Sequence, residues 1–446
     1  MSERKTIVHK AIMVAALMLS VAALPFSIKV CHAAIIIAII SWLLEGQWRA
    51  KLSVINQSLL LQFMMALFFL EVLGLVFSDS LPAGWFSVEK KIFFLLIPVV
   101  LATTAIRLGG KEIRLVLISF LTACFIGTII CLLHAWNETI LVMSGEGQIN
   151  PYLASSSYND FHALQSKQWL LFSYVSLSEG IAIHPTYFSL FLAFSIVFLL
   201  HELSRIKSAP VQTVALVLIF YFALFVVLLS ARIAILGLAV IFIFVLIRTV
   251  IQKQKYYSLI AIAMVFVFSF LLFLNPVSRY RSLQEISSST FEIEPGNNYK
   301  NAAQIRVSLW WLALKSMHDS HALFGSGTGD VEQLMKRASN KYQITNIINS
   351  FDPHNQYLYT LLSHGYPGLF LLILCLGLPV YFAWLQKDFL LLGFSFLFCL
   401  VCFTESALEL QKGIVFYSLF SSLLFFQLNS FQSISLNLRS MLRAGN

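Results

Sequence analysis

Residues 350–372 read "SFDPHNQYLYTLLSHGYPGLFLL", a histidine and an asparagine set just ahead of a long apolar run. His354 follows Pro353, which restricts Asp352 to extended backbone and marks the close of a loop. The apolar run that follows belongs to a pattern repeated along the chain. Of 446 residues, 59% are hydrophobic and only 11% are charged, with 40 Phe and a mean hydropathy of +0.82. That composition lies far outside the range of soluble domains and indicates a polytopic membrane protein. The net charge of +9 therefore does not point to nucleic acid. The basic residues fall between apolar segments, where they set orientation.

A helix crossing about 30 Å of hydrocarbon takes about 20 apolar residues, fewer where its ends are shielded by protein. Twelve segments qualify, with cores near 11–28, 30–44, 58–77, 92–106, 115–136, 181–200, 211–230, 233–247, 257–275, 365–385, 389–404 and 413–428. The expected fold is an all-α, twelve-span membrane protein. Arg4, Lys5 and Lys10 ahead of the first run imitate a signal peptide, but the later spans favour an uncleaved anchor. With the N-terminus inside, most basic residues of the short loops, among them Arg49, Lys51, Lys111, Arg114, Lys253 and Lys255, are cytoplasmic. Both termini then face the cytoplasm. The organisation reads as five spans over 1–136, an outer loop over 137–180, four spans over 181–275, a large outer loop over 276–356, and three spans with a cytoplasmic tail over 357–446. The six cysteines lie in apolar runs, and Cys399 and Cys402, one helical turn apart, read as small hydrophobes.

The larger outer loop has a helical middle. In "AAQIRVSLWWLALKSM" (302–317), Arg306, Trp310, Ala313 and Met317 share one face of a helix lying parallel or oblique to the membrane, and "FGSGTGD" (324–330) is expected to end it. No strand precedes those glycines and no Lys-Ser/Thr pair closes them, so they are not a phosphate-cradling loop. Nucleotides are cytoplasmic, so a reaction on the outer face needs a donor that arrives activated. The outer segments hold no D-x-D, no H-E-x-x-H and no His/Cys/Asp cluster at ligand spacing, and neither a metal nor another cofactor is expected. Neutralising a phosphate then falls to arginine or lysine. Arg232, in "LLSARIAILGL" (228–238) between two apolar spans, sits at or below the outer interface. An ionisable residue at that depth is a functional candidate, against the ordinary reading of an arginine snorkelling to headgroups. Arg306 is equally readable as the wet edge of an amphipathic helix. Lys90 and Lys91, after "SDSLPAGWFSVE" (78–89), are weaker candidates for supporting the site or binding substrate and read more readily as interfacial anchors. Histidine, with an unperturbed pKa of about 6.5, is the side chain best suited to abstracting a hydroxyl proton near neutral pH.

His354, Asn355, nine residues, Gly365, two residues and Gly368 form an H-N-x9-G-x-x-G pattern that is similar to the signature of the O-antigen ligase and polymerase superfamily. The resemblance extends to "SAR" (230–232), "QIRVSLW" (304–310), "FGSG" (324–327), and the count of spans around a large outer loop. It covers most of the chain from Ile181 onward. It implies a membrane-embedded glycosyltransferase on the outer side of the bacterial inner membrane, moving a glycan from undecaprenyl diphosphate to lipid A-core without metal or nucleotide. Carried over residue by residue, Arg232 and Arg306 would bind the diphosphate and His354 would be the base. Asn355 would orient it or contact the glycan. "IHPTYFS" (183–189) and "TESALELQKG" (404–413) are weaker matches. His184 there is either a helix cap or part of the site. Glu405 is either an arginine's partner in support or a member of the site.

Arginine patterns divide the superfamily's branches. The 137–180 loop has no arginine, and Arg279 and Arg281 precede Gly296 with sixteen and fourteen residues in between, off the spacings typical of polymerases. The pattern favours a ligase over a polymerase of the same lipid-linked units or a protein glycosylase. A transporter or flippase would favour paired charges and broken helices at mid-bilayer, whereas the polar residues here gather at the outer end.

Overall fold

The computed structural model describes residues 3–106, 108–144, 169–281, 292–293, 302–317, 323–344 and 351–426. The chain is an all-α polytopic membrane protein. Its principal helices are α1 (Glu3–Ala23), α2 (Ile28–Leu44), α3 (Trp48–Gln57), α4 (Leu59–Gly74), α5 (Leu81–Thr103), α6 (Gly110–Ser144), α7 (Pro185–Leu203), α8 (Ala209–Leu228), α9 (Arg232–Ile251), α10 (Lys255–Leu274), α11 (Ala302–Ser316), α12 (Val331–Lys341), α13 (Gln356–Gln386), α14 (Phe389–Val401) and α15 (Gln411–Phe425). Each of the twelve expected segments falls on a helix. Among the described residues seven helices are long and apolar enough to cross a membrane, or eight if α2 and α3, bent by 114° to one another, form one broken span. The others expected to span are shorter or more polar. Most of the 137–180 loop, Gly296 and residues 427–446, expected to form a cytoplasmic tail, lie outside the described residues.

The chain divides into two compact units, one of residues 1–120, 293–297 and 308–446, the other of 121–292 and 298–307. In the first, α4, α5, α13 and α15 pack together, with α1 against α2 and α14 against α13. Its centre is aromatic. Phe394, Phe398, Phe416, Tyr417 and Phe420 are all fully buried, and the rings of Phe398 and Tyr417 stand 4.6 Å apart. The Tyr417 hydroxyl reaches Cys375 O at 2.6 Å, which resolves the one polar atom such a ring brings into an apolar core. In the second unit α7 is central. It is apolar all round and buried over nearly its whole length, as a helix without a polar face must be.

The long helix α13 is two helices joined at a break. Gly365 has φ 63° and ψ −158°, and Pro367 follows it. Proline has no N–H, so Ser363 O, four residues earlier, loses its helical donor. The glycine-rich stretch supplies the replacement: Gly327 N–H donates to Ser363 O at 3.0 Å and Ser326 N–H to Leu362 O at 2.8 Å. The same stretch closes two further helix ends. Thr328 N–H donates to Gly74 O at 3.2 Å at the end of α4, and just ahead of α5 the Asp330 carboxylate accepts from the N–H groups of Asp79 (2.6 Å) and Ser80 (3.1 Å). Helix termini leave such groups unpaired unless something reaches them. The expectation that "FGSGTGD" stops a helix is therefore corrected. Helix α11 ends at Ser316, one residue short of Met317, and the glycines instead allow a backbone wedge between helices. A Cβ on Gly327, at φ 99°, would lie 2.8 Å from Phe77 C, and one on Gly365 would lie 2.2 Å from Leu323 O.

Candidate active site

Four successive residues, His354 to Tyr357, are stitched to the last turn of α14 and the segment that follows it. The Tyr357 hydroxyl donates to Cys399 O at 3.1 Å, Gln356 N–H to Cys402 O at 2.8 Å, and Asn355 Nδ2 to Phe403 O at 3.2 Å. His354 Nδ1 stands 3.4 Å from Glu405 Oε2. Asn355 also caps α13, its Oδ1 accepting from Leu358 N–H at 3.1 Å, the role for which a short amide side chain is suited. His354 itself sits in the left-handed region at φ 46°, which costs a non-glycine residue roughly 1–2 kcal/mol. Asp352 offsets that cost. Its Oδ1 accepts from His354 N–H and from Ser406 Oγ, both at 2.6 Å. A strained backbone held by surrounding bonds is common where a side chain must be aimed. Here the imidazole is about one-third exposed while Glu405 is buried beneath it.

Behind this end of α13 lies a buried ionic cluster. Lys91 bonds to Glu71 and, at 2.8 Å, to Glu409; Glu71 also takes His364 Nε2 at 3.0 Å. All four residues are at least nine-tenths buried. Burial pushes the Glu409 carboxyl upward, opposed by the Lys91 ammonium and reinforced by the Glu71 carboxylate. The sequence reading of Lys91 as an interfacial anchor is thus corrected: it is an interior cation committed to two carboxylates. Lys90 is half-buried, donates to Glu409 O at 3.2 Å and lies 5.0 Å from the Phe86 ring.

In the second unit Arg232 is the first residue of α9 and is half-buried. The turn before it is held by hydroxyls. Ser230, at φ 52°, shares a 2.7 Å hydrogen bond with Ser278 Oγ, which also bonds to Val227 O. Asn275 caps the one-turn helix Pro276–Arg279 through Val277 N–H (2.9 Å) and Ser278 N–H (3.0 Å). A cation at a helix N-terminus opposes the macrodipole by about 0.3–1 kcal/mol, and a guanidinium there adds to the helix end's preference for an anion. Arg306, half-buried on α11, belongs to the same unit. His184 is exposed at the start of α7, its Nδ1 accepting from Thr186 N–H at 3.4 Å.

The structure thus gathers His354, Asn355, Glu405, Lys90 and Lys91 in one unit, and Arg232, Arg306 and His184 in the other. Sequence reasoning missed Asp352, Gln356, Glu71, His364 and Glu409 as a connected set. Glu71 carried a signal: it is the lone charge in the apolar run 58–77, and an intramembrane ionisable residue marks a site or a buried pair. Residues 215–373 match the model of the O-antigen ligase family, a stretch that contains Arg232, Arg306, His354, Asn355 and both signature glycines. No curated protein matches the chain at a significant level.

Proposed function

We propose that this chain, whose residues 215–373 match the O-antigen ligase family, transfers an undecaprenyl diphosphate-linked glycan to lipid A-core at the periplasmic face of the bacterial inner membrane. The observation that carries this reading is His354, held in the left-handed region beside Glu405 within the matched stretch. Glu405 accepts a hydrogen bond from Nδ1–H of the imidazole, which leaves the Nε2 lone pair for the acceptor hydroxyl. As the hydroxyl's proton moves to Nε2, the hydroxyl oxygen forms its bond to the anomeric carbon. The carbon–oxygen bond to the lipid diphosphate breaks, and the departing group takes the electron pair. Arg232 and Arg306 stabilise the charge on that diphosphate, where a planar guanidinium pairs two oxygens at once. The donor arrives activated, so the reaction calls for neither nucleotide nor divalent metal. All twelve expected segments cross the membrane, with both termini cytoplasmic and His354 outside.

Lipopolysaccharide from a deletion strain, resolved on a gel, tests the reaction. Unattached long-chain glycan is the expected outcome. Core bearing a single repeat unit would instead identify a polymerase of the same donor, and an unchanged pattern would discard both. Transfer by purified protein in nanodiscs should survive EDTA; loss on chelation with recovery on adding metal would contradict the metal-free mechanism.

A further inference from the structure

The outer segment of α13, from Gln356 to the break at Gly365, presents one polar face into the protein. Gln356, Thr360 and His364 are spaced by four, so they stack along that face. Its beginning is held through Gln356, whose Nε2 bonds to Glu409 Oε1 at 3.2 Å and to Thr360 Oγ1 at 3.1 Å, and whose Oε1 accepts from Leu408 N–H at 2.7 Å. Its end is placed by His364, whose Nε2 stands 3.0 Å from Glu71 Oε1. One cation joins the two anchors. Lys91 Nζ contacts both Glu71 and Glu409, and a cavity of about 20 Å³ beside it is lined by Glu71, Lys91, Gln356 and Thr360, large enough for one water. The cluster thus ties α4, α5, α13 and the 402–410 segment at a single point.

We propose that Lys91 is a positioning residue, fixing the outer segment of α13 against residues 402–410 so that His354 and Glu405 meet. The inference rests on the glycosyltransferase reading above. Lys91 is only 8% exposed and both of its carboxylate partners are buried, so it has no free charge to offer a substrate. Its reach to the site is short. Glu409 is four residues from Glu405, and Gln356 is two from His354. Without the ammonium, Glu71 and Glu409 remain as buried like charges, and they push α4 and the 402–410 segment apart. The nine residues between Asn355 and Gly365 then gain a physical meaning: they span the distance between the two anchored ends.

The test uses full-length protein in nanodiscs, with lipid-linked glycan and lipid A-core as substrates and hydrogen exchange as a second readout. Lys91→Met should lower kcat about 10- to 100-fold, the scale of a misplacement near 1 Å, while the donor KM stays within about twofold of wild type and amides of 356–364 and 402–410 exchange faster. Adding Glu409→Gln, which removes the stranded charge but keeps an oxygen for Gln356, should recover at least about threefold in kcat over Lys91→Met alone. Should Lys91→Met fail to fold, Glu409→Gln alone should lower kcat about two- to fivefold with the same exchange pattern. A raised donor KM with unchanged kcat would make Lys91 a substrate cation and overturn the proposal, as would unchanged kcat in folded variant protein. If wild type transfers no glycan, the glycosyltransferase reading fails, and the exchange pattern alone decides whether Lys91 clamps the segment.

Discussion

The loop end at His354 and the turn before Arg232 solve one problem by different chemistry. Each holds a non-glycine residue in the left-handed region, His354 at φ 46° and Ser230 at φ 52°. Around His354 the strain is held by carboxylates: Asp352 binds its N–H, Glu405 faces its ring, and a buried ionic cluster backs the helix behind it. Around Arg232 the strain is held by neutral hydroxyls, Ser230 and Ser278, bonded to each other and to Val227 O. A base needs a partner that fixes its tautomer, and a carboxylate provides one. The turn at Ser230 has only to hold the backbone at the start of α9, which neutral hydroxyls do without adding charge.

The comparison breaks most visibly at the base. In folded, correctly inserted protein, His354→Gln should lower transfer about 10²- to 10⁴-fold, the usual contribution of a positioned base, with little change in donor KM. Glutamine keeps a donor and an acceptor but cannot take the proton, so wild-type transfer by this variant would leave His354 a loop hydrogen-bonding residue. The effect at the arginine should be smaller and of another kind. Arg232→Lys should raise the donor KM and lower kcat/KM by about 10- to 100-fold, since one point charge replaces a two-point contact worth about 1.5–3 kcal/mol. Unchanged donor kinetics would make Arg232 an interfacial anchor. Least of all, Ser278→Ala should lower stability by about 0.5–1.5 kcal/mol, one neutral hydrogen bond, seen as a modest fall in Tm. A fall matching the loss of a buried charge would mean that the hydroxyl turn is coupled to a larger network and that the contrast between the two regions is too sharp.

Much of the architecture was legible without coordinates. The apolar runs are long, few polar residues interrupt them, and a helix is the structure that satisfies every backbone group in hydrocarbon; each of the twelve runs falls on a helix. The H-N pair and the two arginines are visible as candidates too, because an ionisable or strongly polar residue at an apolar boundary stands out against its surroundings. The glycine stretch was misread for a definite reason. Glycines after a helical pattern ordinarily stop a helix, and nothing local to residues 324–330 says that three other helix ends need their hydrogen bonds.

Sequence by itself determined which segments are helical and where ionisable residues interrupt or border them, since these follow from hydropathy and residue type read over one or two dozen positions. Tertiary structure alone decided the partners. Glu405 meets His354 across 51 positions, Lys91 meets Glu409 across 318, and Thr328 closes α4 from 254 positions away. Lysine at position 91 reads as an anchor in any local window. It becomes a buried cation only when the packing of α4, α5 and the 402–410 segment removes water from around it and leaves two carboxylates as its sole counter-charge among the described residues.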